Sequence, residues 1–598
     1  MAAEPLSQLF LQRAQSFADR PAYHQRIDER WRPTTWRSVR QRVEDIALGL
    51  VTLGAGPRIS VAIMCSTRPE WALVDMANLC IGAITVGLYP NQTVDQAVPL
   101  IQKSDAQIVI VEDNHKRTIL EQVSSRLDRP LVIVTLESSE PSCSDASVLT
   151  FADLEQRGAA RRAAHPEEFE RRVAERTSSE VASYIFTSGT TGSPKGAVID
   201  HRNFSYVIRA TNALVPYRGE RALIFLPMAQ PFQRYISYLN LMVDAELYYG
   251  GPLSRLEADL AEVRPTCFGA IPRLLEQIQR RVIARGKGRG GLIRAGFDRA
   301  VAAMHEAAQQ LRAGYEPGIR GRLQARLADR VVGRGIRQQL GGRVRFIGVG
   351  GSTLGRDIHA FFEDVGLPVL TGYGTTETCS PACMNTLNNR RIGSAGRPLP
   401  GTEVRVDEDG EILVRGPGVC RGYVRDEAAT GRAFTDDGWF RTGDVGTMSR
   451  DGFLAITDRK QNMIRTAEGA RVAPQPLEQA LRRHPWIEQA VVVGQGRPHL
   501  GALFSLDPDI VPDVAAQIGL APTVDVAELA RHPTVMHSLR EHLSSFNANQ
   551  PEEQRIHCFS VLDDRLSTTT GELTPTDKIK RHIVFERRGS AIERMYRS

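Results

Sequence analysis

The chain has 598 residues, 42% hydrophobic and 24% charged, with a formal net charge of +6. That length exceeds one ordinary core, so at least two domains are expected, with interior enough for a buried site. The mildly basic balance suits solubility, or anionic substrates and surfaces, and is too weak for a dedicated nucleic-acid binder.

In chain order, the opening MAAEPLSQLFLQRAQSFADRP lacks the basic start and apolar centre of a signal peptide and predicts an amphipathic helix ending near Arg20–Pro21. No apolar run is long enough to span a bilayer. From Pro57 to Leu136, the strand-like runs ISVAIM, IGAITVGLY, AQIVIVE and LVIVTL alternate with helical patterns, which predicts mainly parallel sheet covered by helices. Ser138 to Arg176 is polar and predicts a surface connection.

Next comes TSGTTGSPKG, Thr187 to Gly196, between strand-like VASYIF and GAVI. This predicts a hairpin-like loop, unlike the strand-to-helix turn of a Walker site, whose GK[ST] ending it also lacks. Its glycines let backbone N–H groups converge on an anion, its hydroxyls add neutral donors, and Lys195 adds a mobile charge. Such a loop suits a polyphosphate.

Between Arg280 and Arg345 the chain is strongly basic and punctuated by glycine, with helical spacing. It reads as solvated helices, with docking on anionic lipid as the alternative. Gly286, Gly288 and Gly291 match GxGxxG formally, but no strand precedes them, so a dinucleotide site is excluded. Gly350, Gly351 and Ser352 follow the strand-like RFIGV and predict a tight strand-to-helix turn. After Asp458 a helix (VAPQPLEQALRRHP), two strands (IEQAVVVG, GALFSL) and a basic tail predict a small α+β domain. The eight cysteines form no CxxC pair and no zinc set; Cys379 and Cys383 read as loop thiols, and a reducing cytoplasm fits.

TSGTTGSPKG resembles the phosphate loop of the adenylate-forming superfamily: acyl-CoA synthetases, peptide-synthetase adenylation domains and luciferases. Further landmarks follow in family order: GYGTTE at Gly372 to Glu377, DGWFRTGDVG at Asp437 to Gly446, and DRKQNMIRTAEGARVAPQPLE at Asp458 to Glu478. VRPTCFGAIPRLLEQI, LADRVVGRGIRQQLGGRVRFIGVGGSTL and GELTPTDKIKR are similar to the long-chain fatty acyl-CoA synthetase branch. The resemblance implies an α/β fold, with a large N-terminal adenylate-forming domain over 1–460 and a small mobile C-terminal α+β lid over 461–598.

It also implies residue roles. Thr187, Ser188, Gly189, Thr190, Thr191, Gly192 and Lys195 would wrap the ATP phosphates. Gly350, Gly351, Ser352, Gly372, Tyr373, Gly374, Thr375 and Thr376 would line the adenine, with Tyr373 stacking on it. Asp444 would hold the ribose, Arg459 would reach the ribose or phosphate, and Glu377 with Thr187 would hold Mg²⁺. Lys578 would bridge the carboxylate and α-phosphate, with Lys195 and Glu377 as its catalytic partners, and Gln461 would mark the hinge. The implied reaction activates a carboxylic acid of the fatty class with ATP and passes the acyl group to CoA.

Three departures fall on the substrate and acceptor side. Gln230, in LPMAQPF with Phe232, stands where the family has histidine; Gln461 and Asn462 replace charged hinge residues; and Glu468 stands in place of a glycine. They leave open an alternative acceptor, an amine, as in relatives that activate nitrite and make diazo groups. The expected partners are a small acid and ATP, with peripheral contact with membrane lipid as an alternative to a purely cytoplasmic enzyme, and no nucleic acid.

Overall fold

The computed structural model describes residues 4–137, 148–187, 194–217, 219–287, 291–508, 511–521, 523–574 and 578–597, and the side chains of these except 284–287, 291–293 and 513. Its first sheet has seven strands in the spatial order Val148–Thr150, Val132–Thr135, Ala106–Val111, Ser60–Met64, Ile84–Leu88, Val181–Thr187, Lys195–Asp200. All neighbours run parallel except the last two, which pair antiparallel with Thr187 opposite Lys195. Ser60–Met64 is buried along its whole length, as expected of a parallel strand covered on both faces. The helices Pro69–Ile81 and Val94–Ser104 make the crossovers, the first ended by left-handed Gly82 and the second started by a Thr93/Gln96 capping box.

A second sheet has nine strands, in the order Arg397–Pro398, Cys383–Met384, Val369–Tyr373, Phe346–Val349, Cys267–Ala270, Glu220–Ile224, Ala245–Tyr249, Pro21–Ile27, Arg30–Thr35. Its centre is parallel, and antiparallel strands close both edges. A four-stranded antiparallel sheet follows, Glu403–Val406, Glu411–Arg415, Phe440–Met448 and Leu454–Arg459. Towards the C-terminus, Ile487–Val493, Leu500–Leu506 and Ile556–Val561 form a three-stranded sheet around a separate apolar core that includes Leu481, Phe504 and Leu539.

Three expectations differ in detail. The first helix spans Leu6–Ser16, and Pro21 opens a strand, a position where the missing N–H costs no ladder bond. Within the stretch expected as a surface connection, Phe151–Ala164 and Glu168–Ala174 are helices that bury Phe151, Leu154, Phe169 and Val173. The first of them approaches the helix Trp36–Thr52 so closely that a Cβ on Gly158 would lie 1.6 Å from the Asp45 carbonyl oxygen. Cys379 and Cys383 are fully buried, Cys383 in a strand, and burial raises both thiol pKa values, so they are packing residues and not loop thiols. The basic region is helical over Pro272–Lys287, Gly291–Arg312 and Ile319–Ala328, with Gly286 inside the first of these.

Candidate active site

The site gathers at the C-terminal ends of the parallel strands, where open α/β sheets place their ligands. The strand Val369–Tyr373 delivers Tyr373, whose hydroxyl donates to Asp444 Oδ2 at 2.8 Å. Asp444 lies on Phe440–Met448, directly across the ladder from Arg459, and its Oδ1 is 2.7 Å from that guanidinium. Local sequence fixes Asp444: Thr442 Oγ1 donates to the Ile412 carbonyl and accepts from Asp444 N–H, and Gly443, at φ +68, donates its N–H to Glu411. The TGD order therefore makes a short turn that only glycine enters without strain.

Burial raises the Asp444 pKa against the opposing pull of Arg459, the Tyr373 hydroxyl and Lys578. Lys578 is lowered, first by burial and then by repulsion from Arg459, while Asp444 pulls it back up. Arg459 is raised, first by Asp444. The Arg459 side chain is 47% exposed and Lys578 is also exposed, yet both feel the desolvation of surrounding protein. That combination marks the walls of an open cleft.

Lys578 reaches the cleft on a pinned turn. Its N–H donates to Thr574 Oγ1, Thr574 N–H donates to the Lys578 carbonyl, and Leu573 bridges Ile579. On either side, buried Glu572 pairs with Arg588 at 2.7 Å and Glu478 pairs with Arg581 at 2.6 Å. The C-terminal body is seated by Arg273–Glu488, Arg482–Glu276 and Arg483–Asp357 ion pairs and by Gln479 donating to the Thr353 carbonyl.

Glu377 sits on the one-turn 3₁₀ helix Thr376–Thr378 and is buried. Tyr423, a residue the sequence reading did not single out, donates its hydroxyl to Glu377 Oε1 at 2.7 Å. The Lys195 ammonium lies 5.2 Å from the centre of the Tyr423 ring. Tyr423 is delivered by residues 420–424, which run along Lys195–Asp200: Val198 N–H donates to Gly422 O and Val424 N–H to Gly196 O, while Cys420 N–H donates to Glu377 O. One short segment thus ties the phosphate-loop strand to the Glu377 turn. The only advance signal was the RGY tripeptide, which carries no chemistry on its own.

Thr187 lies at the base of the phosphate loop, with Oγ1 3.4 Å from the Lys195 carbonyl. Ser188, Gly189, Thr190, Thr191 and Gly192 lie outside the described residues. Gly350 and Gly351, the latter at φ +90, follow Phe346–Val349 as expected, with Ser352 exposed. Gly372 is in the strand that ends at Tyr373, and Gly374 is packed so closely that a Cβ would lie 2.3 Å from the Ser380 carbonyl oxygen. Thr375 caps the Glu377 turn.

On the expected substrate side, Phe232 lies on the helix Pro231–Leu239 and lays its ring against Gly350 and Gly269, 3.3 to 3.6 Å from where their Cβ atoms would be. Gln230 hydrogen-bonds through Nε2 to the Tyr89 hydroxyl. Beneath them Arg234 is fully buried, paired with Asp75 and bonded to Tyr238 and Ser183. At the expected hinge, Lys460–Asn462 is a single turn: Lys460 pairs with Glu411 at 2.8 Å, and Asn462 donates to buried Asp458. Gln461 and Glu468 are both exposed, Glu468 on the turn between Thr466 and Ala470.

The arrangement sets two carboxylates, Asp444 and Glu377, with three cations, Lys195, Arg459 and Lys578, a composition suited to an anionic ligand, and comparison with known proteins gives the class of the chain. The AMP-binding enzyme family model matches residues 10–424, and the AMP-binding enzyme C-terminal domain model matches 461–598. Long-chain-fatty-acid--CoA ligase FadD15 of Mycobacterium bovis is 35% identical over 96% of this chain and 94% of its own. Long chain acyl-CoA synthetase 6 of Arabidopsis thaliana is 30% identical over 92% and 79%. The adenylation domain of a carboxylate reductase from Mycobacterium chelonae shares the fold, with TM-score 0.78 and 21% identity over 99% and 91%. The chain belongs to the AMP-binding enzyme family, in its long-chain fatty acyl-CoA ligase branch, and is an AMP-forming ligase.

Proposed function

We propose that the protein activates a fatty acid with ATP as an acyl-adenylate and then transfers the acyl group to CoA, with residues 1–460 as the adenylating domain and 461–598 as its mobile lid. The observation that carries this reading is Lys578 set in one cleft with Arg459 and Asp444, close enough for each to shift the ionisation of the next. A carboxylate oxygen attacks the α-phosphorus, the bond to the β-phosphate oxygen breaks, and pyrophosphate leaves. Anion attacks anion, so the barrier is largely electrostatic. Lys578 offers its ammonium to both the incoming carboxylate and the α-phosphate; Arg459 covers the ribose–phosphate junction; Lys195 faces the leaving pyrophosphate. Asp444 accepts from the ribose hydroxyls, and Tyr373 supplies the aromatic face beside the purine.

A magnesium ion held with substrate phosphates needs only one or two protein carboxylates. Buried Glu377, steadied by Tyr423, fits that need, with the Thr187 hydroxyl at the loop base as the second expected ligand, and the ion would neutralise phosphate charge there.

In the second half-reaction, the CoA thiol sulfur attacks the acyl carbonyl carbon and AMP leaves with the bonding pair. The turn at Lys460–Asn462 would let the lid withdraw Lys578 and present another face. Full-length similarity to proteins named as CoA ligases supports CoA as acceptor over the amine alternative. No described helix is long and apolar enough to cross a membrane. The described cysteines are free thiols, which supports a cytoplasmic setting.

A panel of acids scored for pyrophosphate release, with and without CoA, tests the reading. AMP, pyrophosphate and a thioester are expected with fatty acids; ADP and phosphate as products, or turnover with amines and indifference to CoA, would overturn it.

A further inference from the structure

Six large apolar side chains stand in water at strict four-residue spacing: Leu311, Tyr315, Ile319, Leu323, Leu327 and Val331, each 61 to 81% exposed. The last four lie on the helix Ile319–Ala328 and the π-helical turn Asp329–Gly333 that continues it. Residues four apart share a helix face, so Ile319 to Val331 form one stripe about 18 Å long. The other side of the same stretch is the packed one: Ala328, Gly333 and Ile336 are buried there. Scattered exposed leucines need no explanation, but a contiguous apolar stripe does.

Charge tells what would cover it. Arg320, Arg322, Arg326, Arg330 and Arg334 rise from the same segment, all but Arg322 without an ion pair among the described residues. The local acids are already engaged, Glu316 with Arg322 and Asp329 with Arg337. On an ideal helical projection Arg326 and Arg330 border Ile319 and Leu323, and Arg320 lies beside Leu327. A second copy of the chain would oppose arginine to arginine across a two-fold contact. A surface that is apolar inside and anionic at its boundary satisfies both halves of the stripe. Long arginine stems let the aliphatic row sink while the guanidiniums stay at the phosphates.

We propose that this face seats the protein on an anionic lipid bilayer, Ile319, Leu323, Leu327 and Val331 entering the acyl boundary and the arginines holding the headgroup phosphates. The helix lies in the plane of the surface, and no described helix is long and apolar enough to cross it. The proposal stands on exposure and charge and is independent of which acid the enzyme activates.

Co-sedimentation of the full chain with phosphatidylcholine vesicles, with and without one-third phosphatidylglycerol, tests it. The parent is expected to pellet with the anionic vesicles and to be released as salt rises, since surface charge attraction is screened. Leu323→Asp/Leu327→Asp is expected to lower partitioning at least tenfold, with pyrophosphate release from a water-soluble acid and the thermal midpoint unchanged. Arg320→Glu/Arg326→Glu, which leaves the apolar row intact, is expected to lose anionic binding too. A parent that stays in the supernatant with both vesicle types overturns the proposal, as do variants that pellet like the parent. Conversion of a parent dimer to monomer by the leucine pair would assign the stripe to a second copy and overturn it equally.

Discussion

Replacing Lys578 by alanine is expected to stop adenylate formation while sparing thioester formation from a supplied acyl-adenylate. Its ammonium lies in a partly desolvated cleft between Arg459, which repels it, and Asp444, which attracts it. The charge is thus held where an incoming carboxylate and α-phosphate would repay its desolvation. Loss of one such preorganised contact is worth about 3 kcal/mol or more, on the order of a hundredfold in rate. The fold should tolerate the change, because the turn is held by Thr574, Glu572–Arg588 and Glu478–Arg581, none of which uses the Lys578 side chain. Pyrophosphate release under saturating acid and ATP measures the first half-reaction, and CoA-dependent AMP release from synthetic acyl-adenylate measures the second. Because the pKa is lowered, the parent rate should also fall at a less alkaline pH than an ordinary lysine would give, and Lys578→Arg should remove that limb. Equal loss in both half-reactions, or a pyrophosphate rate within a few-fold of the parent, would refute the role.

Tyr423→Phe removes the hydroxyl that steadies Glu377; a hydrogen bond to a charged group is worth roughly 1.5–3 kcal/mol, so pyrophosphate release should drop about tenfold or more and need more magnesium, and an unchanged magnesium titration would contradict this. Phe232→Ala clears the space over Gly350 and Gly269, so preference should move towards bulkier or longer acids at unchanged KM for ATP, whereas an unshifted acid profile would remove Phe232 from the substrate pocket. His201 is buried, accepts from Leu6 N–H, and has its pKa pushed down to about 3, by burial first. Below the unfolded value of about 6.5 the unfolded chain binds a proton that the native one refuses, so its contribution is full above that pH and is lost towards pH 3, by up to about 1.4 kcal/mol per pH unit. The thermal midpoint should fall from pH 7.5 to 5.5 less steeply in His201→Gln than in the parent, and identical slopes would rule out this origin.

What the sequence made legible was local order. The antiparallel strand pair that flanks the phosphate loop, the turn after Phe346–Val349 and the TGD turn each need a short run of residues in fixed succession, and each forms where that succession predicts. Tyr423 was not legible because its place depends on a segment more than 200 residues downstream lying along Lys195–Asp200. The helix Phe151–Ala164 was missed because its contact face is partly glycine: Gly158 works by having no side chain against the Trp36–Thr52 helix, a role that polarity counts as surface. The stripe from Ile319 to Val331 fails the other way, since four-residue apolar spacing is the ordinary mark of a buried face and only the fold reveals that these side chains stay exposed among the described residues.

The site's charges come from distant parts of the chain: Lys195 beside the phosphate loop, Glu377 beyond the central sheet, Asp444 and Arg459 across one antiparallel pair, and Lys578 near the end. If residues 461–598 move as the proposed lid, Lys578 would reach the cleft only while they are docked, and several of the contacts that seat them are ionic, among them Arg273–Glu488 and Arg483–Asp357, the latter exposed on both sides. Polar seams of this kind cost little to open, because water replaces what the partner offered. The same lysine is pushed out by Arg459 and held by Asp444, so an anionic ligand in the cleft would tip the balance towards docking by shielding Arg459. Once pyrophosphate, and with it most of the negative charge, had left, that hold would weaken. Lid position would then follow the charge in the cleft, which orders the two half-reactions without a separate switch.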